Sequence, residues 1–169
     1  QANIEVENYK KEQKANPTSE SVVINDYQLK EVDDFNHVRW QLSSAKGTLA
    51  PNNKDVLLDK VTVSYYDGPN IKMRIVAPKG QANQETRYVK LMSLNNERVQ
   101  CEGEGGKSKF EADTVELTKK NQFLASGGVI IVWSGVAKVT GRSATGTIEN
   151  GGISSVKVVG NTHAIIDVK

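Results

Sequence analysis

Very little in this chain is arranged for chemistry. One cysteine, Cys101, stands among 169 residues, so no internal disulfide can form and thiol content names no compartment. The only two histidines, His37 and His163, lie far apart in the chain. Neither falls in a metal-ligand spacing with Cys101 or with paired carboxylates. Excess charge is lacking too: 22 basic residues meet 20 acidic ones, which gives no case for a nucleic-acid polycation or a strongly membrane-seeking surface. No apolar run approaches the roughly 18 residues of a membrane span. No signal peptide opens the chain, although a start at Gln1 rather than Met leaves room for an upstream leader or anchor.

Catalytic motifs are missing in the same way. No Gly-x-Ser-x-Gly elbow occurs among the many serines. Carboxylates such as Asp33, Asp34, Asp113 and Glu116 are scattered, with no visible partner to set up acid–base work. The stretch Cys101 to Ser108 echoes a phosphate-binding loop, but Cys101 occupies the place of its first glycine. A helix should follow such a loop, and the strand-like Phe110-Glu-Ala-Asp follows instead. A hairpin turn is the better reading there. Asn16-Pro17-Thr18 is barred from glycosylation by its proline. No enzyme, cofactor or metal is expected.

Alternation is what the chain does have. Val61-Thr62-Val63-Ser64-Tyr65 and Ile71-Lys72-Met73-Arg74-Ile75 each alternate apolar and polar residues about the turn-forming Tyr66-Asp67-Gly68-Pro69-Asn70. This is the pattern of a β-hairpin with one buried face. The second strand is expected to stop at Pro78, which has no N–H to donate to a central ladder. The same unit recurs around Ala45, Ala77, Ala112 and Ala144. Each is an alternating strand, a small residue, a polar turn and another alternating strand, at a nearly fixed period. A unit with a single apolar face cannot bury it alone, so neighbouring units must pair or stack. Helical periodicity is absent beyond residues 1–20, a polar stretch expected to be a flexible N-terminal tail or linker. The expectation for 21–169 is an all-β domain of about a dozen or more short strands, in an elongated meander, jelly roll or solenoid. The segment His163–Lys169 supplies a last edge strand.

One apolar face runs through these strands: Trp40, Leu42, Val61, Val63, Ile71, Met73, Ile75, Phe110, Val129, Ile131 and Trp133. Either it is an ordinary closed core, or the sheets stay partly apart and hold an apolar ligand. Each buried methylene of an acyl chain would contribute about 0.8 kcal/mol. Pattern alone leaves both open.

The segment Asp26 to Gly47, with its acidic turn, Trp40, alternating strand and Ala45, resembles the opening of the LptC family of periplasmic lipopolysaccharide-export proteins, within the OstA/LptA-like β-jellyroll superfamily. Val56-Leu-Leu-Asp-Lys-Val-Thr-Val and Tyr66-Asp67-Gly68 fit the same pattern, and the resemblance covers roughly 20–169. It implies a twisted, V-shaped β-jellyroll of antiparallel hairpins with an open hydrophobic interior, working in outer-membrane biogenesis. It further implies an N-terminal inner-membrane helix, missing from this chain, ahead of the tail. Lipopolysaccharide would arrive from an inner-membrane ABC transporter, seat its acyl chains on the eleven lining residues, and pass to LptA. Edge-strand pairing would join the proteins, with Ser21–Val32 toward the transporter and Ile153–Val168 toward LptA. Two alternatives remain: an LptA-like soluble bridge, and a structural β-repeat or adhesin module with a closed core.

Overall fold

The computed structural model describes residues 22–166. The tail expected over 1–20 lies outside these residues, as do Ser21 and 167–169. Fourteen strands follow one another: β1 (Val22–Val32), β2 (Val38–Leu49), β3 (Asp55–Asp67), β4 (Asn70–Asn83), β5 (Val89–Met92), β6 (Val99–Gly103), β7 (Ser108–Ala112), β8 (Thr114–Leu117), β9 (Gln122–Ser126), β10 (Val129–Trp133), β11 (Ala137–Gly141), β12 (Ser143–Glu149), β13 (Gly152–Val159) and β14 (His163–Ile166). A single 3₁₀ turn, Glu104–Gly106, interrupts them. All belong to one antiparallel sheet that curls on itself into a half-barrel, so the fold class is all-β jellyroll.

The curl originates at β4. Its Met73–Val76 half pairs with β6, and its Lys79–Ala82 half pairs with β5. Two walls therefore diverge from one strand. The first continues β6-β7-β10-β11-β14, and the second continues β5-β8-β9-β12-β13. The long strands β1 to β4 run across both walls and bend where they cross. Asp26, Ala45, Lys60 and Pro78 are each skipped in the pairing register at that bend. These gaps face one another across each strand pair, so the ladder lapses at the bend without a change of register. They also explain a departure from expectation: β4 does not stop at Pro78. Pro78 lies at a gap in the ladder, so its missing N–H costs no pairing.

After β4 the walls are joined by short corners. Backbone bonds tie one corner to the next: Ser93 N–H to the Asp113 carbonyl at 2.9 Å, Asp113 to Ser126 at 3.1 Å, Gly128 to Arg142 at 3.0 Å, and Arg142 to Gly160 at 2.8 Å. Arg98 reinforces this spine, donating to the Gly127 and Gly128 carbonyls and to Glu111. The strand turns fall on the opposite side. Among the described residues, no backbone hydrogen bond links the two walls there. The sheet is thus hinged along one side and unpaired along the other.

The alanine repeat now has a physical basis. Ala77, Ala112 and Ala144 are buried beside the points where the chain passes from one wall to the other, where a small inward side chain suits the narrowing between them. Ala45 sits on the bend itself and is exposed. The stretches around Ala112 and Ala144, Lys109–Leu117 and Val139–Gly146, are each broken by a corner, at Asp113 and Arg142.

Candidate functional site

The candidate site is the interior between the walls. Of the eleven residues expected to line it, Trp40, Leu42, Val61, Val63, Met73, Ile75, Phe110, Val129 and Ile131 are buried. Trp133 is half-buried against the same cluster. Ile71 departs from expectation, being 44% exposed. The register slips between Tyr65 and Tyr66, which leaves Ile71 paired to Tyr66 at the hairpin's end. There it borders a groove on the sheet's outer face with Val76, Ile130 and Val132.

All nine buried residues belong to the first wall. The facing wall supplies Leu58, Val89, Leu91, Val115, Leu117, Phe123, Ala125 and Ile148, every one buried. None of these was on the sequence-derived list. The signal was present as a change of phase. Alternation on Phe110 and Ala112 resumes after Asp113 on Val115 and Leu117, shifted from even to odd numbers. Met73, Ile75 and Ala77 likewise give way to Gly80 and Ala82 beyond Pro78. Each shift marks a corner, where the chain passes to the other wall with its apolar side still inward.

The walls meet side chain to side chain. The rings of Phe110 and Phe123 stand 5.8 Å apart at 90°, an edge-to-face contact across the interior. Around them Met73, Ile75, Cys101, Val115, Leu117, Phe123, Ile148 and Ile153 line a wholly apolar, partly open recess of about 20 Å³. A single water takes about 10–15 Å³ on the same measure, so the recess as it stands has no room for an acyl chain. Polar groups at its margins are satisfied. Trp40 Nε1 donates to Glu31 at 3.0 Å, and the Tyr27 hydroxyl donates to Gln84 at 2.8 Å. The Ser44 hydroxyl reaches the carbonyls of Lys46 and Asp59 at 2.9 and 2.7 Å. Burial pushes the Cys101 thiol up to about 12, which keeps it protonated and unreactive. Burial also raises the Tyr65 phenol. His37 bonds Asp33 at a turn, and His163 lies on the edge strand β14. The structure brings neither to the interior.

The outer faces are charged. Burial and the Glu116 carboxylate hold the Tyr88 phenol at about 12 on the second wall. At the bend, Asp59 is held below its ordinary value, first by its hydrogen bond to Lys79. Asp55 is lowered mainly by the Asn52 amide, and Asp33 mainly by the His37 backbone N–H.

A hinged antiparallel sheet folded around an apolar interior defines a β-jellyroll class. The sequence model of one family in it, described as lipopolysaccharide-assembly, LptC-related, matches residues 1–153. The chain belongs to the LptC family, a family of non-catalytic periplasmic components of lipopolysaccharide transport. The match ends within β13. No curated protein matches the chain. Among solved structures it is similar to LptH of Pseudomonas aeruginosa, described as the LptA-homologous periplasmic component of the conserved lipopolysaccharide transport device. Identity is 11% and the TM-score 0.35, over 89% of this chain and 96% of that one. Among the described residues no helix is long and apolar enough to cross a membrane.

Proposed function

We propose that this protein is a non-catalytic relay that holds lipopolysaccharide by its acyl chains between the two walls. Lipid comes from an inner-membrane ABC transporter and leaves to LptA, with the sugar and phosphate head outside. The observation that carries this reading is the pair of apolar walls, joined by the through-running strands β1 to β4 and, beyond them among the described residues, by backbone hydrogen bonds along the spine. Such a sheet can separate its faces without breaking its ladder. Displacing side chain from side chain by acyl methylenes replaces one apolar contact with another, so the exchange is nearly balanced. Nothing here need bind nucleotide, and the energy for loading would come from the transporter.

The free edges fit a relay. β13 and β14 end the two walls, and β1 ends the sheet at the other side. β14 exposes Ile165 and Ile166 at 65% and 68%, which suits pairing with a following LptA strand, while β1 suits the transporter side. An inner-membrane helix ahead of residue 1 would anchor the domain. The filled interior favours a second reading, a structural module with a permanently closed core. A photo-reactive residue at Ile75, with a control at outward-facing Arg74, separates the two. Labelling of lipopolysaccharide at 75 and not at 74 is expected. Equal labelling at both positions, or none in folded protein, would favour the closed module. Ile75→Arg should abolish labelling from a probe at Met73 while a folded sheet remains detectable by circular dichroism.

A further inference from the structure

On the unpaired side of the interior the two walls touch where the turn between β12 and β13 meets the β3–β4 hairpin, close to the small apolar recess. The turn between β12 and β13 is Asn150-Gly151, with φ of 51° and 79°, the backbone of a tight two-residue hairpin. Its tip presses on the first wall's β3–β4 hairpin. A methyl group built on Gly151 would lie 2.7 Å from the Tyr66 carbonyl oxygen and 3.1 Å from Lys72 Cβ. Only glycine allows both the left-handed backbone and this approach.

The chain neighbours of this contact line the cavity. Ile148 and Ile153 flank the turn on one side, and Met73 follows Lys72 on the other. Moving the turn therefore moves the cavity's own walls. The hairpin is also lightly tethered, because β13 is an edge strand whose ladder partner among the described residues is β12.

Resting on the lipid-holding reading above, we infer that the Asn150-Gly151 turn is a clasp over a cryptic acyl-chain site. Swinging the β12–β13 hairpin away from Tyr66 and Lys72 opens the space lined by Met73, Ile148 and Ile153 and parts Phe110 from Phe123. Lipid enters across this lip. The paired corners of the spine act as the hinge.

Locking the clasp tests this in the full chain. Cysteines replace Lys72 and Gly151, and a photo-reactive residue sits at Ile75. Disulfides span about 3.5–4.5 Å between Cβ atoms, so a shift of a few tenths of an ångström closes the bond. Buried Cys101 remains a spectator. With lipopolysaccharide present, the reduced protein should label at least as fast as the probe-only protein, since Gly151→Cys also sets a Cβ against the Tyr66 carbonyl, and the oxidised protein at least tenfold less. Undiminished labelling of the oxidised form overturns the clasp and leaves the lipid reading standing. Failure of the disulfide to form under mild oxidation also overturns it, since the two residues would not be in contact. Loss of labelling in the reduced pair and in the probe-only protein alike defeats the lipid reading, and the clasp with it. Gly151→Ala supplies an opposite test: its methyl pushes on the Tyr66 carbonyl, and labelling should quicken several-fold. An unchanged or slower rate in folded protein contradicts the inference.

Discussion

The two walls bury comparable apolar faces by different means. On the first, the halves of β2 and β3 on its side of the bend carry inward residues in steady alternation, with Trp40, Leu42, Val61 and Val63 all buried, beside the five-residue strands β6, β7 and β10. On the second, β5, β8 and β9 are four or five residues long and contribute two inward residues each. Val89, Leu91, Val115, Leu117, Phe123 and Ala125 are nonetheless as deeply buried as anything opposite. Burial here follows from position across the sheet, and strand length does not decide it. A short strand whose neighbours on both sides are paired presents its face as firmly as a long one.

The largest test of that equivalence is truncation at the aromatic contact between the walls. Phe110→Ala and Phe123→Ala should each cost about 3–5 kcal/mol in denaturant unfolding. A double-mutant cycle should show a coupling of about 0.5–1.5 kcal/mol. A loss confined to Phe110 would mean that the second wall is not truly packed. Next comes Gly146 on the second wall, where an added methyl would fall 2.1 Å from the Ser155 carbonyl oxygen and 2.4 Å from the Phe123 ring. Gly146→Ala should cost about 1–3 kcal/mol through overpacking.

Arg98 belongs to the spine and so to both walls. Arg98→Met keeps the stem but leaves the Gly127 and Gly128 carbonyls without their donor, an expected loss of about 1–2 kcal/mol in thermal unfolding. The smallest effect is at the bend. Asp59 has a folded pKa below its unfolded value, so its stabilising effect is present above the ordinary carboxylate range. That effect is lost as pH falls through the lowered folded value. Asp59→Asn should cost under about 1 kcal/mol at neutral pH. It should also flatten the decline in melting temperature below about pH 4. A variant that declines as steeply as the parent would assign the acid sensitivity elsewhere.

Much of the architecture was legible in the alternation. The hairpin about Gly68-Pro69, the repeat around the alanines and the lack of α-helix among the described residues all follow from periods and turn residues. Nine of the eleven candidates are buried, because first-wall strands keep their phase over four or more residues. The second wall was missed because its inward residues resume out of phase after each corner. A reading that assumes one face per run discards them. Pro78 misled in a related way: its chemistry forbids a ladder position, and it falls at the unpaired bend opposite Lys60, where the strand continues past it. Ile71 matched the right parity, but pairing registers at a hairpin's end depend on a bulge that no alternation records. The clasp was invisible for a simpler reason. Tyr66 and Gly151 lie on different walls, brought together by the twist of the whole sheet.

The central claim is that acyl chains lie between both walls. Photo-reactive residues placed singly at Met73 on the first wall and Leu117 on the second would test it most directly, each incubated with lipopolysaccharide and mapped for the labelled part of the lipid. The account predicts labelling at both positions, on the acyl portion. Labelling at Met73 alone, or on the sugar head at either position, would contradict it.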